Sequence, residues 1–366
     1  MKQVLSSLNC AILHDSILEF GGAERVLLGF LRLFPNAHIY TLAADIMIIE
    51  KYFSNFNMSK FTILLPPIFK YRDSILQMSA PFFWRKIELE QYNLVLTSSA
   101  YLMSNIVSPT SPLVIRYIHS PPKNMFGLVS KNRLQAIFDY SLFIKKIYLE
   151  SLYKCSNIVV NSKYTQNILS EIFGISSDII YPPVEVLSEF PSVKKEKFYI
   201  SVSRINSIKN IEIIIEAFNR LRLPLKIIGE GKDQRYLRKI RTQSGSTIEF
   251  LGFISDYQLK KIYLQAKALI CASKNEDFGL SAVEAQSHGT PVIAHNGGGF
   301  CETIVNNRTG LLYNTLDINT LVDTVKKFEK MTFDSLACIN NTLQFSFENF
   351  RYKMNNYVTN RLLSPH

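Results

Sequence analysis

The densest run of chemically capable residues is CASKNEDFGLSAVEAQSHGTPVIAHNGGGFCETI, residues 271–304. Its apolar start reads as a strand ending near Ser273. A loop then carries Glu276, Asp277 and Phe278, and Gly279 opens a helix. Glu284 lies early in that helix, eight positions after Glu276. A carboxylate accepts paired hydrogen bonds from vicinal hydroxyls, so both acids suit the diols of a sugar or ribose. The N–H groups around Phe278 to Leu280, at the start of a helix, suit a sugar or phosphate oxygen. The plainer reading makes Glu276 a loop acid and Glu284 a glutamate favoured by the helix dipole. That reading is comfortable for one glutamate and less so for the whole segment.

Other candidates are weaker alone. Arg204 and Lys209 bracket a strand-to-helix loop five residues apart, a spacing able to reach both phosphates of a diphosphate. Without other evidence, a pair of surface cations explains them equally well. The FGGAER run sets Gly21 and Gly22 before a helix, where backbone N–H groups can approach an anion closely. A simple turn is the commoner meaning of such a pair. IIGEG places Gly229 and Glu230 in a turn at the end of a strand, again without specificity.

These loops need a scaffold, and the chain supplies one twice. Apolar strand-like runs at 10–15, 37–44, 93–99, 113–120, 157–162 and 177–183 alternate with helical patterns such as 22–34. The pattern restarts at 198–205 and continues through 225–231, 248–255, 267–273 and 291–296. Such alternation predicts parallel sheets wrapped by helices. Residues 181–197, YPPVEVLSEFPSVKKEK, have the Pro, Ser and charge content of a linker. The expected organisation is α/β, with one domain at 1–183 and a second at 184–345. The helical stretch at 346–366 is expected to pack back on the first domain. Two Rossmann-like, doubly wound domains facing across a cleft is the economical architecture, with ligands outside the carboxyl ends of the strands.

Composition narrows the class. The chain has 366 residues, 47% of them hydrophobic and 19% charged, so it can bury sizeable cores and wholesale disorder is excluded. No apolar run reaches the roughly 18–20 residues that span a bilayer. The opening MKQVLSSLNCAILHD reads as a first strand rather than a leader. Five cysteines, at 10, 155, 271, 301 and 338, form no CxxC pair, which predicts buried thiols in a reducing, cytoplasmic compartment. The net charge of +11 asks for an anionic partner, and a membrane surface fits better than nucleic acid, for which no recognition motif is present. A dinucleotide-dependent dehydrogenase is disfavoured because no GxGxxG follows the first strand.

Taken together, the motifs resemble the retaining glycosyltransferases of the GT-B fold, family 4. GGAERVL (21–27), YIHSPP (117–122), NSKYTQNI (161–168), YPPV (181–184), SVSRINSIKN (201–210), IIGEG and EDFGLSAVEA occur in the family's order and cover most of the chain. The opening and the EDFGL core look most like bacterial O-antigen and capsule mannosyltransferases. The resemblance implies that Arg204 and Lys209 offset charge on the leaving nucleotide, and that Glu276 holds the donor sugar's hydroxyls. It implies further that Phe278, Gly279 and Leu280 contact sugar and phosphate through their N–H groups, with Glu284 on the ribose. Gly21 and Gly22 match the loop near the diphosphate, His119 the histidine near the reacting carbon, and Gly252, Phe253 and Ile254 the contacts to the base. Two departures stand out: Asn210 occupies a position often held by Gly, and the residues after Pro122 lack the usual aromatic-acidic pattern.

The expected chemistry is transfer of a sugar, mannose from GDP-mannose, to an oligosaccharide or lipid-linked acceptor with retention of configuration. No DxD-type dyad is present, so the expectation is no metal and no cofactor beyond the nucleotide-sugar substrate. The mixed apolar and basic segments 63–72 and 79–88 are read as peripheral membrane contacts or, equally, as core. A UDP- or dTDP-sugar donor, a nucleotide-sugar epimerase and a noncatalytic subunit are the alternatives.

Overall fold

The computed structural model describes residues 8–66, 68, 73–107, 113–123, 125–126, 142–186, 193 and 195–363. The chain divides into two compact units, Met1–Pro183 with Phe347–His366, and Val184–Ser346.

In the first unit the elements run β1 (Cys10–Ile17), α1 (Gly22–Leu33), β2 (His38–Ala44), α2 (Ile46–Phe53), β3 (Phe61–Ile63), α3 (Asp73–Trp84) and β4 (Leu94–Ser99). They continue with β5 (Leu113–Ile118), α4 (Leu142–Tyr153), β6 (Ile158–Val160), α5 (Lys163–Phe173) and β7 (Asp178–Ile179). The seven strands order as β3-β2-β1-β4-β5-β6-β7, and every pairing is parallel. Both faces of such a sheet are covered, so its strands lose the polar alternation of an exposed sheet. All eight residues of β1 are buried: Ala11 and Leu13 face one core layer, Cys10 and Ile12 the other.

The second unit repeats the plan: β8 (Tyr199–Val202), α6 (Ile211–Leu221), β9 (Leu225–Ile228), α7 (Gln234–Thr242), β10 (Ile248–Gly252), α8 (Asp256–Gln265) and β11 (Ala268–Cys271). Then come α9 (Leu280–Ser287), β12 (Val292–His295), α10 (Phe300–Thr303), β13 (Gly310–Tyr313), α11 (Ile318–Glu329) and α12 (Ser335–Thr342). Its parallel order is β10-β9-β8-β11-β12-β13. In each unit the order reverses between the first and fourth strands, β1/β4 and β8/β11. Loops leaving the carboxyl ends of those strands diverge there and leave room for a ligand.

The last helix, α13 (Phe347–Leu363), belongs to the first unit. Phe350, Met354 and Val358 enter the same core layer as Leu27 and Phe30 of α1. Gly29 permits this approach: a Cβ there would lie 2.9 Å from Pro183 and 3.1 Å from Phe350.

Three expectations need adjustment. The strand read through 248–255 ends at Gly252, whose φ of +65° turns the chain out of the sheet. Cys10, Cys271 and Cys338 are buried free thiols, but Cys155 is partly exposed and Cys301 is exposed in the first turn of α10. Segment 79–88 is half core: Trp84 is fully buried, its indole N–H donating to the Leu102 carbonyl at 2.8 Å, while Phe82 is exposed. Of segment 63–72, residues 67 and 69–72 lie outside those described. Among the described residues no helix is long and apolar enough to cross a membrane.

Candidate active site

The carboxyl ends of β8 and β11 carry the strongest candidates. Asn206 caps a short helical turn at 207–209, its side chain accepting from the Lys209 N–H, and this turn aims Lys209. The next residue, Asn210, has φ +49° and ψ +44° and donates through its side chain to the Ala272 carbonyl at 2.8 Å. Asn tolerates the left-handed region better than other residues with a side chain. The departure from glycine noted in the sequence is therefore accommodated, and it adds a tie to the end of β11.

Lys209 Nζ lies 2.7 Å from Glu276 Oε2, with both side chains about one-fifth exposed at 21% and 20%. The pair lines a recess with Ser203, Ser273 and Ser281. Cys271 also lines it, but burial pushes its thiol up to about 12, with Glu276 adding to the shift. A thiol so held stays protonated and is no nucleophile.

Two sets of glycines shape these loops. A Cβ on Gly229 would fall 1.9 Å from the Ser203 carbonyl oxygen, and one on Gly231 would fall 2.2 Å from that of Ile205. The IIGEG turn thus packs directly under the backbone carrying Arg204; Arg204 and Glu230 themselves are exposed. The run 297–299 lies between β12 and α10. Gly299 N–H donates to the Glu276 carbonyl at 2.7 Å, and a Cβ on Gly298 would lie 2.2 Å from the same oxygen. These glycines are the mould of the Glu276 loop, a role that depends on tertiary proximity and leaves no local signal.

Gly279, with φ +90°, precedes α9, and Leu280 is its first residue, so the first N–H groups of α9 lie beside the recess residue Ser281. Phe278 is buried, its ring edge-on to Phe345, so any contact it makes with a ligand goes through its backbone. Asp277 is half-buried. Glu284 accepts from the Tyr263 hydroxyl at 3.3 Å, on α9. Gly252 and the half-buried Ile254 flank Phe253, which is 54% exposed at the end of β10.

The first unit has its own cluster at β1/β4. Gly21 is the cap of α1, and its N–H donates to Glu24 Oε2 at 2.8 Å; Gly22 is exposed. Glu24 Oε1 lies 3.6 Å from His14 Nε2. His14 Nδ1 is 2.9 Å from Ser98 Oγ, its register partner on β4, and Ser98 Oγ is 2.8 Å from His119 Nε2. All four side chains are buried. Burial, reinforced by His14, pushes His119 down to about 3, so its ring is neutral at physiological pH. Asp15 holds the neighbouring loop, accepting from the N–H groups of Ala100, Leu102 and Ser104 at 2.8 Å each. Sequence reading singled out His119 alone, because His14, Glu24 and Ser98 look like ordinary strand and helix residues.

Among the described residues no group of His, Cys, Asp and Glu could hold a metal ion.

Residues 186–345 match the family Glycosyl transferases group 1. Human alpha-1,3/1,6-mannosyltransferase ALG2 is 28% identical over 246 residues, taking in 56% of this chain and 59% of that protein, under two thirds of its length. The O-antigen chain mannosyltransferase RfbU of Salmonella typhimurium is 25% identical over 265 residues, 67% of this chain and 73% of that one. In fold, Anabaena HepE, solved in complex with UDP, superposes with a TM-score of 0.72 over 96% of this chain and all of its own, at 15% identity. Residues 186–345 are a glycosyl transferases group 1 domain within a chain that has the GT-B fold and resembles the O-antigen mannosyltransferases.

Proposed function

We propose that the chain is a retaining glycosyltransferase that moves mannose from GDP-mannose to a lipid-linked oligosaccharide in surface-polysaccharide synthesis. The observation that carries this reading is the Lys209–Glu276 pair at the β8/β11 switch point, inside the glycosyl transferases group 1 domain. A fixed ammonium beside a fixed carboxylate offers one partner for a diphosphate and another for sugar hydroxyls. Mannose is favoured because ALG2 and RfbU are mannosyltransferases. The UDP held by HepE keeps a uridine donor as the second reading.

In the proposed reaction Lys209 and Arg204 stabilise charge accumulating on the leaving diphosphate, and the first N–H groups of α9 bind sugar or phosphate oxygen. Glu276 orients the donor sugar through its hydroxyls, and Glu284 takes the ribose diol. The acceptor hydroxyl attacks the face that the phosphate leaves, and the leaving oxygen takes its proton. His119 stands by the reacting sugar as a neutral polar group. Lys and Arg do the work a metal would do, so turnover of pure enzyme is expected to survive EDTA. The formal net charge of +11 favours approach to an anionic cytoplasmic membrane face, where a lipid-borne acceptor would reside.

The test is transfer from GDP-mannose to a polyprenyl-diphosphate-linked saccharide, with the anomeric configuration of the product read by NMR. An α-linked mannoside supports the reading. An inverted product, or no transfer from any nucleotide sugar, rejects it.

A further inference from the structure

Three buried side chains, Glu24, His14 and Ser98, link the glycine loop of the first unit to His119, 98 positions on from Gly21. Three hydrogen bonds and one 3.6 Å charge contact make up this chain, and its proton arithmetic has few solutions. Each neutral imidazole holds one ring proton, a hydroxyl holds one, and an ionised carboxylate holds none. Glu24 spends one oxygen on the Gly21 N–H, and its other oxygen faces His14 Nε2. Asp15, the neighbouring acid, is engaged by three backbone N–H groups and takes no part.

We propose that Glu24, His14 and Ser98 are positioning residues that fix the tautomer of His119, with the proton on Nε2 and the lone pair of Nδ1 turned toward substrate. The Glu24 carboxylate, 3.6 Å from His14 Nε2 and beyond hydrogen-bond distance, favours hydrogen on that nitrogen through its charge, and a neutral His14 then has a bare Nδ1. Ser98 must then donate to His14, so it offers only lone pairs to His119. His119 Nε2 therefore carries the proton, and Nδ1 is left as an acceptor. Among the described residues no other group hydrogen-bonds the His119 ring. A ring fixed this way accepts a hydrogen bond from a sugar hydroxyl and does not act as an acid. The low proton affinity of His119 agrees with this, since protonation at Nδ1 would place charge in a buried site.

The catalytic consequence rests on the sugar-transfer reading above; the tautomer itself does not. The experiment is a long-range proton–nitrogen correlation spectrum of the full chain labelled at histidine, with His119 assigned through His119→Asn. Wild type is expected to show His119 as the Nε2–H form. Glu24→Gln keeps its amide oxygen on the Gly21 N–H and presents its NH2 group to His14. Hydrogen is then disfavoured on His14 Nε2, so the His14–Ser98 and Ser98–His119 hydrogen bonds reverse and His119 flips to the Nδ1–H form, three links away from the substitution. Ser98→Ala breaks the chain and yields a mixture of tautomers. In transfer assays Glu24→Gln is expected to lower kcat about tenfold with little change in donor KM, the scale of one hydrogen bond. A merely structural role would lower thermal stability without moving the tautomer. Should Glu24→Gln fail to fold, the wild-type and Ser98→Ala spectra decide. An Nδ1–H form in wild type, or an unchanged tautomer in Glu24→Gln, overturns the proposal. The predicted spectrum in a chain that transfers no sugar rejects the sugar-transfer reading and leaves the tautomer assignment standing.

Discussion

The Lys209 ammonium lies 2.7 Å from the Glu276 carboxylate, joining the loops that leave β8 and β11. The two residues are 67 apart in sequence, and each would contact a different part of a nucleotide sugar. In the proposed reading a diphosphate would compete with Glu276 for the ammonium, and binding the phosphates would release the carboxylate toward sugar hydroxyls. This half-buried pair would then couple recognition of the diphosphate to recognition of the sugar.

Lys209→Ala removes a charge-assisted contact of about 1.5–3 kcal/mol, a loss of about ten- to a hundredfold in affinity for a nucleoside diphosphate. Glu276→Gln has the opposite sign for the nucleotide alone. Removal of the competing carboxylate is expected to leave diphosphate affinity equal or higher, while transfer falls. Titration of both variants, beside turnover of Glu276→Gln, checks the pair.

Gly298→Ala is expected to disrupt the donor loop. The new Cβ would lie 2.2 Å from the Glu276 carbonyl oxygen, at a residue with φ +61°. Backbone strain plus displacement costs about 1–3 kcal/mol, read as a lower denaturation midpoint together with weaker donor binding. Gly174→Ala, at the end of α5, is the control. Its φ is +64°, but nothing lies within 4 Å of the added carbon, so only left-handed strain of about 1–2 kcal/mol applies, with donor binding unchanged.

Much of this arrangement was legible in the sequence. Strands such as β1, β4 and β11 are continuous apolar runs, because both sheet faces are covered. The aromatic period of the last helix foretold a packed face, now seen as Phe350, Met354 and Val358. β3 and β13, at three and four residues, were not picked out as strands. Lys209 and Glu276 were legible as types in loops. Their pairing was not, since it depends on the switch point bringing two distant loops together. The His14–Ser98 contact was invisible for the same reason: it comes from strand register, where His14 stands opposite Ser98.

Acidification gives a third prediction. His119 is held down to about 3 in the folded chain, against an ordinary value near 6.5 when unfolded. Between those values the unfolded chain binds the extra proton, so stability rises with pH in this window and is lost as pH falls from about 6.5 toward 3. His119→Asn is expected to flatten that part of the stability curve. Chemical denaturation at pH 7.5 and pH 5, for wild type and variant, measures the difference. The reaction itself should show no limb from His119 between pH 5 and 8, because its ring stays neutral throughout.

The central claim is that the β8/β11 site binds the diphosphate of a nucleotide sugar. Calorimetric titration of the full chain with GDP, UDP and dTDP tests it without any acceptor. The account predicts saturable binding of GDP, lost or greatly weakened in Lys209→Ala. Preference for UDP or dTDP would keep the site and replace the mannose donor. Binding of none of the three, or GDP affinity unchanged in Lys209→Ala, would contradict it.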